Sequence, residues 1–195
     1  MIPENVLLDY GATIENITAS EVILSEKKRA DFYFQIKTGE VKMFNLNENG
    51  KEFVQGIFYD GESFGEPPLF ADFKYPASAA AVKATELFKL PKSKLFKLLK
   101  NNPDINLIFT KAFARRLYYK ATILKEISVH PPEHRILALI DFLKSRYGNE
   151  ALFQVELTRQ QIADLTGQRV ETVIRAIKQL ELDGEIKLIK HKVFR

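Results

Sequence analysis

Two patterns of apolar and polar residues divide the chain. Between residues 20 and 90, short runs rich in β-branched and aromatic residues alternate with the turns "KTGE", "NENGKE" and "YDGE"; the runs are "EVILS", "DFYFQIK", "EVKMFNL", "EFVQGIFY" and "ELFKLP". Runs of this length between turn residues predict β-strands. Because several such strands follow one another at regular spacing, this part of the sequence predicts a small β-barrel or sandwich.

The pattern then becomes helical. "KSKLFKLLKNN" predicts a short helix that ends before Pro103, and from Pro103 to Ser128 the chain has no glycine or proline. A helix of that length extends about 38 Å, which is long for a small domain. We therefore expect it to cross the face of the barrel or to pair with a second copy of itself. The apolar stripe expected to form a dimer interface, or alternatively to pack on its own barrel, comprises Ile105, Ile108, Ala112, Tyr119, Ile123 and Ile127.

Two consecutive prolines in "SVHPPEH" end the long helix, because proline cannot continue one. The segment from Val129 to Pro132 is therefore the expected hinge. Beyond it, "EHRILALIDFLKSRYG" predicts an amphipathic helix and "GEIKLIKHKVFR" predicts a β-hairpin. The sequence thus predicts three parts, 1–102, 103–129 and 130–195.

Between that helix and the hairpin, "LTRQQIADLTGQRVETVIRAIKQLE" predicts two short helices joined by a tight turn. Thr158 and Gln161 have the spacing of a capping box, and Gly167 permits a left-handed turn. One apolar stripe marks the buried side of the second helix: Val173, Ala176, Ile177 and Leu180. This arrangement is typical of a DNA-binding helix-turn-helix.

Burial of that stripe turns Glu171, Arg175 and Lys178 outward. Arginine donates two hydrogen bonds to guanine, and glutamate accepts one from cytosine N4, so Arg175 and Glu171 are predicted to recognise a half-site containing a G·C pair. Arg169 and Thr172, at the helix start, are further predicted DNA contacts. Phosphate contacts are predicted for Lys178, Lys190 and Lys192. The alternatives are an ordinary i,i+4 salt bridge between Glu171 and Arg175, and a merely solvated lysine face.

Composition limits the remaining possibilities. The chain has 195 residues, 46% of them hydrophobic, a net charge of +4, and no cysteine. The absence of cysteine excludes disulfides, thiolate metal sites, iron–sulfur clusters and cysteine nucleophiles. Mild basicity is compatible with nucleic-acid binding. The N-terminus does not resemble a signal peptide and no apolar run is long enough to span a membrane, so a cytoplasmic location without a membrane partner is expected.

"LTRQQIADLTGQRVETVIRAIKQLELDGEI" closely resembles the winged helix-turn-helix of the Crp/Fnr bacterial transcription regulators, and the order of parts agrees along nearly the whole chain. The resemblance implies an α+β fold: an N-terminal β-roll (a double-stranded β-helix or jelly roll) as effector domain, a long dimerisation helix and a C-terminal winged helix-turn-helix. It also implies a homodimer on an inverted-repeat operator in double-stranded DNA, with RNA polymerase as a partner. Glu171, Thr172 and Arg175 match family positions at the DNA surface. "VETVIR" is closer to the Fnr branch, although Ile174 replaces the serine of Fnr-type proteins.

"GESFGEPPLFADFKYPASAAAV" resembles the family's phosphate-binding cassette, which implies an effector pocket that includes Gly65, Glu66 and Ser78. Cyclic-nucleotide binders have an arginine there that pairs with the phosphate. The expected position holds Pro76 or Tyr75 in "YPASA", which disfavours a cyclic nucleotide and leaves the effector unidentified. The open alternatives are that Gly65 and Glu66 are simply turn residues, that the regulator is independent of effectors, or that the chain is a signalling module acting on a protein partner.

The sequence disfavours two classes of enzyme. Cupin-type enzymes bind a metal with histidines inside the barrel, but His130, His134 and His191 all lie outside the predicted barrel. "HPPEH" matches a zinc-protease pattern, yet its prolines prevent the regular helix that this pattern needs. We therefore expect neither an enzyme nor a metal site.

Overall fold

The computed structural model describes residues 1–46, 50, 52–129, 131–148 and 152–195, and for residues 122–129 and 146 it describes the backbone alone. The chain forms two compact units, Met1–Ala112 and Phe113–Arg195. The boundary between these units lies inside one long helix, so the predicted three-part division at residues 102 and 129 stays a prediction. His130, in the predicted hinge, lies outside the described residues.

The described part of the first unit is a β-roll of two four-stranded antiparallel sheets, with strand orders β1-β8-β3-β6 and β2-β7-β4-β5. A short helix, α1 (Glu4–Asp9), precedes the strands. The strands are β1 (Thr13–Ile17), β2 (Val22–Leu24), β3 (Phe32–Thr38), β4 (Glu40–Leu46), β5 (Glu52–Tyr59), β6 (Ser63–Phe64), β7 (Ser78–Ala81) and β8 (Thr85–Pro91). Helix α2 (Pro67–Ala71) lies between β6 and β7.

Each sheet contributes buried side chains to the core of the roll. Tyr33 and Ile36 of β3 and Leu87 of β8 are fully buried, as are the alanines of β7. The turn between β3 and β4 requires Gly39, whose φ is +131°. A Cβ atom there would lie 2.3 Å from the Thr85 hydroxyl oxygen, so any side chain would push β8 away.

Two helices complete this unit. Helix α3 (Lys92–Asn101) buries Leu95, Leu98 and Leu99. Helix α4 (Pro103–Val129) agrees with the predicted long helix and begins within this unit. Its Phe109 ring is fully buried, with its centroid 5.6 Å from that of Tyr33 and 5.8 Å from that of Phe70. The first turns of α4 are thus held by an aromatic cluster.

The second unit is a winged helix. It contains α5 (Pro132–Tyr147), α6 (Arg159–Thr166) and α7 (Val170–Leu182). An antiparallel sheet of order β10-β11-β9 lies beside them, with β9 (Gln154–Val155), β10 (Lys187–Ile189) and β11 (Lys192–Phe194). Helix α5 buries Ile136, Leu139 and Ile140 and packs against α7. The predicted hairpin is therefore the wing, formed by β10 and β11.

Candidate nucleic-acid interface

The start of α6 is fixed by the predicted capping box, which is confirmed. The Gln161 backbone N–H donates to the Thr158 hydroxyl oxygen at 3.1 Å, and the Thr158 backbone N–H donates to the Gln161 side-chain oxygen at 2.8 Å. Both donors would otherwise lack a partner in the helix. The buried side of α6 comprises Ile162, Ala163 and Leu165.

A left-handed glycine makes the turn between α6 and α7. Gly167 has φ +67°, and the Gln168 N–H donates back to the Ala163 carbonyl at 2.8 Å. Arg169 then takes an extended conformation as the N-cap of α7, without a side-chain cap hydrogen bond. Its side chain is exposed. The turn therefore leaves a cation at the N-cap, directly before the first residue of the second helix.

Helix α7 has one buried and one exposed side. Val173, Ala176, Ile177 and Leu180 are buried, as the apolar stripe predicts. Glu171, Arg175 and Lys178 are exposed, and Thr172 is half-buried. Among the described residues, Glu171 and Arg175 form no ion pair with each other, although they are four residues apart on one helix. Both groups are therefore available to an external partner.

The wing presents further cations beside α7. Lys190 and His191 form the two-residue turn between β10 and β11, with φ values of +48° and +65°. This is the geometry of a type I′ hairpin turn, which glycine and asparagine adopt more readily. The Arg159 guanidinium donates to the His191 carbonyl at 3.1 Å and so ties the wing tip to the start of α6. Lys190 and Lys192 are exposed.

A cleft of about 460 Å³ separates α7 from the wing. Its lining combines apolar side chains from both elements with lysines: Ile174, Ile177, Leu188 and Val193, with Lys178 and Lys192. Ile174 is exposed, as are Leu182 at the end of α7 and Ile189 of the wing. The surface formed by α7 and the wing therefore combines lysines with exposed apolar side chains.

Gly65 and Glu66 of the cassette in the β-roll are buried, unlike the exposed charged residues of α7 and the wing. Gly65 has φ +70°, and a Cβ atom there would lie 2.8 Å from a methyl group of Leu24 and 3.3 Å from the ring of Tyr75. Glu66 is fully buried, and its carboxylate accepts a hydrogen bond from the Ser63 hydroxyl. Gly65 and Glu66 are therefore packed in the interior of the roll and are not exposed turn residues.

At the end of the cassette, the three residues before Ser78 carry no cation. Tyr75 and Ala77 are buried and Pro76 is exposed. The Ser78 hydroxyl accepts the Glu26 backbone N–H at 3.0 Å. Burial, together with the carboxylates of Asp31 and Glu66, raises the pKa of Tyr75 to about 12. Alanine, unlike arginine, has no group that can pair with a phosphate.

The predicted dimer stripe on α4 does not lie on one exposed face. Ile105 is 8% exposed and packs within its own chain, whereas Ile108 is 40% exposed. Ala112 is half-buried. The Tyr119 ring stacks on Phe142 of α5, with a centroid distance of 4.0 Å. The side chains of Ile123 and Ile127 lie outside the described residues.

A different face of α4 is exposed between residues 107 and 121. It comprises Leu107, Thr110, Ala114, Leu117 and Ala121, all exposed, with Leu117 reaching 71%. Their spacing alternates between three and four residues, which is the a/d pattern of a coiled coil. Sequence reasoning missed this face although the spacing was available as a signal. We call these five residues the α4 seam.

Comparison with known proteins agrees with this architecture. Residues 14–102 match the family model described as cyclic nucleotide-binding domain, and residues 134–194 match the Crp-like helix-turn-helix domain. The cyclic AMP receptor protein of Thermus thermophilus is 30% identical over 156 residues, which cover 80% of this chain and 70% of that protein. The chain belongs to the Crp/Fnr family. The transcriptional activator protein anr of Pseudomonas aeruginosa is 23% identical over 92% of this chain and 80% of its own length.

Solved structures of this family share the fold. CooA from Carboxydothermus hydrogenoformans, solved as a mutant, has a TM-score of 0.83 at 16% identity, covering all of this chain and 86% of its own. The catabolite activator protein of Thermus thermophilus has a TM-score of 0.59 at 26% identity, covering 99% and 90%. The predicted fold class is confirmed. A match to lysophospholipase NTE1 of Phaeosphaeria nodorum, 28% identical over 110 residues, spans only 7% of that enzyme.

This Crp/Fnr family member is therefore a transcription regulator with a cyclic-nucleotide-binding-type β-roll and a DNA-binding helix-turn-helix. The relatives that match most of this chain, such as the cAMP-activated global transcriptional regulator CRP of Pasteurella multocida, are transcription regulators. In the described part of the chain, no helix is both long enough and apolar enough to cross a lipid bilayer.

Proposed function

We propose that this regulator binds an inverted-repeat operator as a homodimer, with Glu171 and Arg175 of α7 contacting base edges in the major groove. One observation carries the proposal. Burial of the Val173 side of α7 leaves both groups exposed and unpaired with each other in the described structure. The N-terminal half of a helix-turn-helix recognition helix is the part that enters the major groove.

Each exposed group has its own part in the proposal. Arg175 donates two hydrogen bonds to guanine O6 and N7, and Glu171 accepts one from cytosine N4. Arg169 and Thr172 contact the DNA at the start of α7, where backbone N–H groups favour a phosphate. Sequence-independent phosphate contacts come from Lys178 and from the wing lysines Lys190 and Lys192.

The dimer forms along the α4 seam in this proposal. In one chain Leu107 is 52% exposed and Leu117 is 71% exposed, and a dimer along the seam would bury both. The small residues between them, Ala114 and Ala121, allow two helices to approach closely. A two-fold axis along this seam presents two α7 helices to half-sites about 34 Å apart, one turn of the duplex. Membership of the family also supports RNA polymerase as a partner.

Control by cyclic AMP, which the names of several relatives imply for those proteins, does not extend to this chain in our proposal. Ala77 replaces the cation that the phosphate needs, and the Ser78 hydroxyl already accepts a backbone N–H. Two carboxylates near Tyr75, those of buried Glu66 and exposed Asp31, add an unfavourable field for an anion. DNA binding is therefore independent of cyclic nucleotides, and any effector of the β-roll has another chemistry.

Selection of bound sequences from random duplex DNA, with the full chain at moderate salt, tests the proposal. The expected result is an enriched inverted repeat with a G·C pair at the same position in both half-sites. Enrichment of a single half-site would contradict the homodimer and leave DNA recognition intact. No enrichment at all would contradict operator binding and favour a signalling module that acts on a protein partner.

A further inference from the structure

Ile174 is the feature of α7 that the proposed function leaves unexplained. Its side chain is 41% exposed. It lies three residues after Glu171 and four before Lys178, so helical geometry places it on the same side of α7 as both. Single exposed apolar residues are common on protein surfaces, and exposure alone therefore does not assign a role. The position of Ile174, in the first two turns of the recognition helix, is the informative fact.

The surroundings of Ile174 extend its apolar surface. Together with buried Ile177 and half-buried Leu188 of the wing, it lines the cleft between α7 and the wing. Charged residues line the same cleft: the cations Arg159, Lys178 and Lys192, and one carboxylate, Glu156. An apolar patch beside three cations suits a partner that carries an apolar group next to phosphates.

The major groove offers one such group. Base edges there present hydrogen-bond donors and acceptors, and the C5-methyl group of thymine is the apolar exception. Isoleucine has neither a donor nor an acceptor in its side chain. If Ile174 lay against a polar edge, it would remove water from that edge and give no hydrogen bond in return. Contact with a C5-methyl group has no such cost, and it removes apolar surface from water on both partners.

We propose that Ile174 is a specificity-determining residue that selects a thymine in each half-site through contact with its C5-methyl group. This inference rests on the proposed function, because it requires α7 to lie in the major groove. It adds a T·A pair next to the G·C pair assigned to Arg175 and Glu171. The same contact would accept 5-methylcytosine as a source of the methyl group.

Uracil substitution tests the inference, since uracil lacks the methyl group and keeps every hydrogen-bonding group of thymine. Each thymine of the selected operator is replaced in turn, at symmetric positions, and the dissociation constant of the full chain is measured by fluorescence anisotropy. At one position the replacement should weaken wild-type binding about fourfold or more per half-site, the loss expected for one methyl group. For Ile174→Ala the same replacement should cost less than about twofold, because the methyl partner is already missing.

Two variants serve as controls. Leu182→Ala removes a different exposed apolar side chain, in the last turn of α7, where Leu182 is 81% exposed, and it should keep the full uracil penalty. Ile174→Val keeps a branched side chain and should give an intermediate penalty. Two results would contradict this inference while leaving the proposed function intact. In the first, the wild type binds its operator and uracil substitution does not weaken that binding at any position. In the second, uracil substitution weakens binding of Ile174→Ala as much as that of the wild type. If the wild type selects no sequence, the proposed function itself fails.

Discussion

Arg175 and Lys178 lie one turn apart on the exposed side of α7, yet their side chains suit different parts of DNA, a base edge and a phosphate. The guanidinium is a planar fork that matches two acceptors of guanine, whereas the ammonium is a mobile point charge suited to phosphate. Neither side chain takes part in an ion pair between described residues. The difference between base recognition and charge attraction can therefore be tested on one helix.

Arg175→Ala is expected to weaken binding to the selected operator by about 1–3 kcal/mol and to relax the preference for guanine at one position. The reason is the loss of two hydrogen bonds to one base edge. Competition binding against operators with each base at that position measures both effects. An equal loss on operator and random DNA would show that Arg175 contributes charge alone.

Lys178→Ala is the matched variant on the same helix face. It should weaken binding to operator and random DNA about equally and lower the slope of log affinity against log salt by about 1. Binding measured over a salt series gives this slope. A change of base preference in Lys178→Ala, with an unchanged slope, would reverse the assignment of base and phosphate contacts.

The elements of the winged helix follow closely from local sequence signals. The Thr158 capping box, the left-handed Gly167 and the apolar stripe of α7 each act within a few residues, so the sequence alone predicts them. Helix α4 shows where this reasoning stops. It has two apolar faces: one includes Ile105, buried in its own chain, and the other is the exposed α4 seam. The sequence analysis identified only the first face. Periodicity does not determine which face packs on the roll, because that depends on residues such as Tyr33 far away in sequence.

The cassette shows a second limit. Resemblance identified the segment and the absence of an arginine from "YPASA", but not how these residues are buried. The buried state of Glu66 and its hydrogen bond from Ser63 depend on how the strands of the roll close around the segment. Such contacts join residues through the tertiary fold, and composition does not encode them.

At the start of α6, Thr158→Ala should lower the free energy of unfolding of the winged helix by about 1 kcal/mol. The change leaves the Gln161 N–H without its hydroxyl acceptor. Chemical denaturation followed by circular dichroism measures the loss. Thr158→Ser keeps the oxygen and should retain most of the stability; equal losses in the two variants would show that the hydroxyl does not cap α6.

On α4, Leu117→Glu should convert the dimer to a monomer, because two carboxylates would face each other at the α4 seam. We expect the dimer dissociation constant from analytical ultracentrifugation to rise at least tenfold. Ile108→Glu is the control, since Ile108 is exposed but lies on the neighbouring face. A monomer from Ile108→Glu together with a dimer from Leu117→Glu would place the interface on the stripe first predicted from the sequence.

At the scale of the whole molecule, the β-roll and the winged helix raise the question of how ligand and DNA binding are related. The chain keeps the family's architecture, and in our proposal Ala77 and Ser78 do not provide a site for a cyclic phosphate. A ligand can shift an equilibrium only through a difference in its affinity for two states. If cyclic AMP does not bind the β-roll, it cannot shift the equilibrium between states that differ in DNA affinity.

Addition of cyclic AMP at millimolar concentration should therefore change the affinity of the full chain for its operator by less than about twofold. Fluorescence anisotropy with the operator measures this, and isothermal calorimetry without DNA should detect no binding heat. An affinity change of tenfold or more, which is within the usual range of allosteric coupling, would mean that the cassette binds the nucleotide by another geometry.

The central claim is that the exposed side of α7 contacts base edges in the major groove. Methylation interference on the selected operator tests this most directly, because dimethyl sulfate modifies guanine at N7 in the major groove and adenine at N3 in the minor groove. We predict that N7 methylation of one guanine per half-site prevents binding of the wild type and does not affect Arg175→Ala. Interference confined to adenine N3, or the same guanine interference in both proteins, would contradict the account.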